Sequence, residues 1–96
     1  MKLTTLAVLA VASFAQIAVA DNCKTSLHYC GYNLLHKGNY YSQIVEALRE
    51  QGQPVDDAHI NNGLFYCSGG SNGDIDFQAF CANGCVDGGN GKSDYC

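Results

Sequence analysis

Six cysteines, Cys23, Cys30, Cys67, Cys81, Cys85 and Cys96, lie in a chain of only 96 residues, and they constrain its fold more than any other feature. An even number of cysteines in a short chain implies a disulfide framework when the chain is exported and a metal or redox site when it is not. The N-terminus decides between these. Lys2 is followed by an apolar run from Leu3 to Ala12 and a weaker stretch to Ala20, and Ala18-Val19-Ala20 places small residues at −3 and −1 of a cleavage site before Asp21. Residues 1–20 therefore read as a signal peptide and residues 21–96 as one secreted domain. The run is short for a bilayer span, is interrupted by Ser13 and Gln16, and is followed by no basic stop-transfer patch.

Removing twenty residues from 96 leaves 76, with all six cysteines retained. Ordering a chain of that size costs roughly 1.5 kcal/mol per residue, which a small core barely offsets. Disulfides at about 2–4 kcal/mol each supply the difference. No C-x-x-C spacing occurs, so disulfides rather than zinc are expected. Six cysteines permit fifteen pairings. If residues 74–81 are extended, Cys81 and Cys85 leave the strand in different directions, which removes the three pairings that join them and leaves twelve.

Hydrophobic periodicity predicts the elements. Residues 25–31 read as a short strand in which Leu27 and Tyr29 alternate with His28 and Cys30, ending at Gly31. A helix is predicted from Tyr40 to Gln51, capped by Asn39, with Tyr41, Ile44, Val45 and Leu48 as its apolar stripe and a Glu46–Arg49 pair on its outer side. Gly52 suits the position after the helix, and Pro54 follows it. Residues 55–63 read as a loop. Residues 64–67 and 74–81 read as strands joined by the glycine-rich turn 68–73. In the second of these, Ile75, Phe77, Ala79 and Cys81 alternate with polar residues, and a helix is the alternative period. Residues 82–96 are glycine-rich and are tied down by Cys96. The expected fold is α+β, a small disulfide-stabilised antiparallel sheet with at least one packed helix.

The chemistry on offer is sparse. Lys24, Lys37, Arg49 and Lys92 face nine carboxylates in the mature chain, a formal charge of −5, and those cations are scattered in sequence. Nucleic acid and anionic membrane surfaces are accordingly not expected partners. His28 falls on a strand, and His36 and His59 fall in expected loops. Their spacing assembles no acid–base pair, no serine sits in G-x-S-x-G, and no free thiol is expected. Gly91-Lys92-Ser93 lacks the upstream glycine of a phosphate loop, since position 86 is valine. Asp87, Asn90 and Asp94 offer oxygens to calcium, yet their spacing departs from an EF-hand loop and no glutamate closes it, so a solvated glycine turn is expected there. No cofactor is expected. Among six tyrosines, Tyr41 is assigned to the core, and Tyr32, Tyr40 and Tyr95 are the candidate contact residues, because tyrosine is enriched at interfaces. The absence of Asn-x-Ser/Thr removes N-glycosylation.

Four stretches carry a resemblance: Leu27-His28-Tyr29-Cys30-Gly31; Gly38-Asn39-Tyr40-Tyr41 leading to Ile44 and Leu48; Leu64-Phe65-Tyr66-Cys67; and Cys81-Ala82-Asn83-Gly84-Cys85-Val86-Asp87-Gly88-Gly89 with Ser93-Asp94-Tyr95-Cys96. Together they resemble small secreted cysteine-rich proteins of filamentous fungi, many of them effector candidates of plant-associated species. The layout is also similar to the killer-toxin type of α/β sandwich, in which helices cover an antiparallel sheet. The resemblance implies a secreted fungal protein that acts by binding, without catalysis, on a protein or cell-surface partner of a host or competitor; a monomer is expected. An effector is the first expectation, an antimicrobial toxin the second, and a small hydrolase or ribonuclease a distant third.

Overall fold

The structure, a computed structural model, describes residues 22–96. The signal peptide assigned to residues 1–20 and the cut before Asp21 lie outside the described residues. The elements in chain order are β1 (His28–Cys30), α1 (Gly31–Lys37), α2 (Tyr41–Glu50), α3 (Asp57–Asn62), β2 (Gly63–Gly69) and β3 (Asp74–Phe80). The strands form one antiparallel sheet in the order β1-β2-β3. This is the α+β, disulfide-stabilised architecture expected from the pattern.

The sheet's two faces differ because side chains alternate along each strand. Tyr29, Phe65 and Phe77 are matched across the three strands, as are Cys67 and Ile75 across two. This face packs on the helices, in a core with Leu34, Tyr40, Ile44, Ala47, Leu48 and Ile60. Phe65 and Phe77 meet edge-on with ring centroids 5.8 Å apart. Cys30, Cys81 and Cys85 form a second, smaller cluster with Tyr32 and Leu64.

The cysteines pair as Cys23–Cys67, Cys30–Cys85 and Cys81–Cys96. Cys81 and Cys85 are not joined to each other, as the strand geometry of 74–80 implied. One bridge ties the N-terminal segment to the central strand. A second joins the end of β1 to the tail, and the third closes the tail onto the end of β3.

Three local expectations are corrected. Gly31 does not break the chain: it opens α1, which buries Gly31 and Leu34 against the core. Residues 57–62 are helical rather than looped. Asp56 caps α3, its Oδ1 accepting a 2.8 Å bond from the His59 amide. That bond is the leading cause holding the Asp56 carboxyl below its ordinary range. Both helices are short, seven and six residues, so neither had the repeated period that marks a helix in sequence.

The third correction concerns α2. Tyr40, not Asn39, is its N-cap residue, and no side chain caps it. The buried positions are Tyr40, Ile44, Ala47 and Leu48, whereas Tyr41 is 54% exposed. The stripe is rotated toward Ala47, whose small side chain lets the helix approach the sheet. The C-terminus follows the expected chemistry. Gly52 has φ 66°, its amide bonds to Arg49 O and the Gln53 amide to Leu48 O, a Schellman closure. The Glu46–Arg49 pair does not form; among the described residues the close carboxylate–imidazole contact is Asp56–His59 at 2.7 Å.

Candidate functional site

The glycine-rich tail builds the most distinctive feature of the molecule. Val86 and Tyr95 are bridged by two backbone bonds, Val86 N–H to Tyr95 O at 2.7 Å and Tyr95 N–H to Val86 O at 3.0 Å. Residues 87–94 form the loop between them. Asp94 holds this loop to the sheet. It is buried, with 5% exposure, and both of its oxygens are engaged. Oδ2 accepts from the Cys30 amide at 2.8 Å and from Asn33 Nδ2 at 2.9 Å, while Oδ1 accepts from the Gly88 amide at 2.8 Å. A carboxylate removed from water requires such donors. Asp94 is thus a structural pin rather than part of a solvated turn. Asp87 is turned to its own loop, its Oδ1 accepting from the Gly89 amide at 3.0 Å. The calcium reading of Asp87, Asn90 and Asp94 loses its central ligand, because the Asp94 oxygens already serve three internal donors.

Between this loop and the β1–α1 corner lies an open cleft of about 460 Å³. Lys24, Lys37 and Lys92 line it, with His36, Asn33 and Tyr29. Each is positioned by a different element. Lys24 sits in the turn before β1, where its amide donates to the Tyr29 hydroxyl at 2.8 Å and its carbonyl accepts from the Leu27 amide at 3.2 Å. Ser26 in that turn holds a left-handed φ of 80°, and its amide donates to Cys67 O at 2.9 Å. His36 and Lys37 occupy the last turn of α1, where cations complement the helix dipole. Lys37 Nζ stands 6.0 Å from the centroid of the Tyr29 ring. Lys92 lies on the loop pinned by Asp94.

Three of the four Lys and Arg residues beyond position 20 therefore surround one cleft, and only Arg49, on α2, lies elsewhere. The cations are scattered in sequence, and the fold gathers three of them in space. Asp87 and Asp94 also line the cleft, so three lysines face two carboxylates there, a slight excess of positive charge where residues 21–96 as a whole carry −5. The exposed Lys24 and Lys92 amines, the half-buried Lys37 amine and the Asn90 amide supply hydrogen-bond donors, the inventory that binds carboxylate, sulfate or phosphate oxygens.

The candidate tyrosines do not form one surface. Tyr40 is 2% exposed and is corrected to a core residue. Its hydroxyl donates to Gly73 O at 2.7 Å and accepts from the Cys23 amide at 3.0 Å. Gly73 has φ 64°, and a Cβ there would collide with that hydroxyl. Burial is the main cause raising the Tyr40 pKa above its ordinary value. Tyr32 is half-buried, and its hydroxyl donates to Cys85 O at 2.9 Å. Its pKa is raised, first by desolvation and then by the charges of Asp94 and Asp87. Tyr95 is 56% exposed beside Val86. Tyr32 and Tyr95 thus flank the same tail segment, behind the cleft loop.

The histidines are also relocated. His36 and His59 are helical, not in loops. His59 Nδ1 lies 2.7 Å from Asp56 Oδ1, and its ring stacks on Phe80 with centroids 3.9 Å apart. That arrangement closes the first turn of α3 and lies outside the cleft lining. No family model matches the chain, and no curated protein or solved structure matches it.

Proposed function

We propose that this chain is a secreted, non-catalytic binding protein of the effector type, and that its cleft takes an anionic group of an extracellular partner. The observation that carries the reading is the convergence of Lys24, Lys37 and Lys92 on one cleft in an otherwise acidic domain. The supporting construction is rigid. Cys30–Cys85 and Cys81–Cys96 anchor the tail segment, and Asp94, near its C-terminal end, bonds it to Cys30 and Asn33. A preorganised site loses little entropy on binding. Among the described residues no helix is long and apolar enough to cross a membrane. Binding rather than catalysis is favoured because, among the described residues, the close His–carboxylate pair, His59–Asp56, is a helix-capping contact away from the cleft.

The test is a titration of the oxidised, secreted protein with inorganic sulfate and with a short uronic-acid oligomer, followed by amide chemical shifts. Shifts at Asn33, Gly89, Gly91 and Lys92 are expected. They should be lost in a Lys24→Ala, Lys37→Ala, Lys92→Ala variant whose melting temperature is unchanged. Shifts that survive the triple substitution, or none in the parent protein, would discard the cleft as the binding face. A growth assay on fungal and bacterial strains separates the two biological roles: killing at micromolar protein favours the toxin over the effector.

A further inference from the structure

The two edges of the sheet are finished differently. Along β1, the outward main-chain groups are covered by the tail. The His28 amide donates to Ser93 Oγ at 2.9 Å, His28 O accepts from the Asp94 amide at 2.9 Å, and the Cys30 amide donates to Asp94 Oδ2. A covered edge cannot recruit another strand.

The opposite edge is β3. Cys67 exchanges its main-chain bonds with the β1 side, donating to Leu27 O and accepting from the Ser26 amide, both at 2.9 Å. Alternation along β2 then directs Tyr66 toward β3, where its partner is Asp76. The pairing is regular from Phe65↔Phe77 through Cys67↔Ile75, so the amides and carbonyls of Ile75 and Phe77 point away from the sheet. Among the described residues, none of these four groups has a partner outside the strand ladder. Beside this edge runs a groove of about 160 Å³, lined by Gln43, Glu46, Ala47 and Glu50 of α2 and by Asp74 and Ile75 of β3.

We propose that the β3 edge accepts an extended segment of a partner protein, one with lysine or arginine at alternate positions. An added strand gains main-chain bonds from Ile75 and Phe77, and its side chains alternate between the two faces. Carboxylates border both sides: Glu46 and Glu50 on the helix side, exposed Asp76 on the other. A second copy of this chain is a poor occupant. Antiparallel pairing of β3 with itself centred on Asp76 sets carboxylate opposite carboxylate, which is destabilising. This surface lies across the sheet from the lysine cleft and does not depend on it.

The experiment uses the oxidised, secreted protein with two blocked octapeptides, one alternating Lys-Val and one alternating Glu-Val. With the Lys-Val peptide at millimolar concentration, hydrogen exchange at the Ile75 and Phe77 amides should slow by about tenfold. The Glu-Val peptide should leave them unchanged. In a Glu46→Lys, Glu50→Lys, Asp76→Lys variant the preference should reverse. Equal responses to both peptides, protection confined to cleft residues, or no change at Ile75 and Phe77 would overturn the proposal. So would protection that appears without peptide as the protein dimerises.

Discussion

Tyr40 and Tyr41 are adjacent and chemically identical, and the fold uses them in opposite ways. Tyr40 is enclosed, its hydroxyl joining the Cys23 amide, 17 positions before it, to the Gly73 carbonyl, 33 positions after it. Tyr41 faces solvent. Tyr40→Phe should cost about 1–3 kcal/mol, because it leaves two buried backbone groups without a partner. Tyr41→Ala should stay within about 0.5 kcal/mol of the parent. Thermal melts of the two variants check this, and equal losses would show that the stripe is not rotated as described. The raised Tyr40 pKa adds a pH dependence. The hydroxyl of an unfolded chain ionises first, near the ordinary value of 10.0. Stability is therefore complete below that pH and is lost as pH rises through the higher folded-state value. Tyr40→Phe should make the alkaline decline in melting temperature shallower.

At the level of elements, α2 packs on the sheet through its buried stripe. Ile44 and Leu48 are fully buried against Phe65 and its neighbours. Leu48→Asp places an unpaired charge there, a change in the class that costs more than about 4 kcal/mol. The domain should lose its near-ultraviolet circular dichroism and its cooperative melt. A variant that keeps both would mean that α2 does not pack by this face. The helix was legible in sequence because ten residues carry nearly three turns of pattern and a Gly52 closure. Its rotation was not, because Tyr41 and Val45 fit the period as well as Tyr40 and Ala47 do. The difference lies in what stands opposite. Gly73 leaves room for the Tyr40 hydroxyl, and a residue 33 positions away is invisible to a local periodicity. The β2–β3 hairpin was legible for the opposite reason: its turn, its alternation and its partner strand are all contiguous in sequence.

For the whole molecule, the tail decides how the sheet ends and where charge collects. The Cys81–Cys96 bridge spans a separation of 15 residues. In the chain-entropy account a loop of that size contributes about 3 kcal/mol. Cys81→Ser with Cys96→Ser should lower stability by about that amount while Cys23–Cys67 and Cys30–Cys85 persist. Amide exchange at His28, Cys30 and Asp94 should accelerate as the tail leaves the β1 edge, and sulfate should bind more weakly as the far wall of the cleft loosens. Exchange and titration on the purified double variant check both. Unchanged exchange at those three amides would show that the Cys30–Cys85 bridge and the bonds of Ser93 and Asp94 hold the tail without Cys81–Cys96.

Local pattern along the chain specifies the need for cross-links and the regular elements. Six cysteines in a short chain demanded cross-links, period-2 runs demanded the hairpin, and one apolar stripe demanded α2. These are local properties, legible because the residues responsible are neighbours. Which cysteines pair, which face of α2 is buried, and which carboxylate is enclosed were decided only in the tertiary structure. So was the cleft. Lys24, Lys37 and Lys92 are far apart along the chain and share no motif. They meet because β1 and α1 turn back beneath a tail that two disulfides and the buried Asp94 carboxylate hold in place.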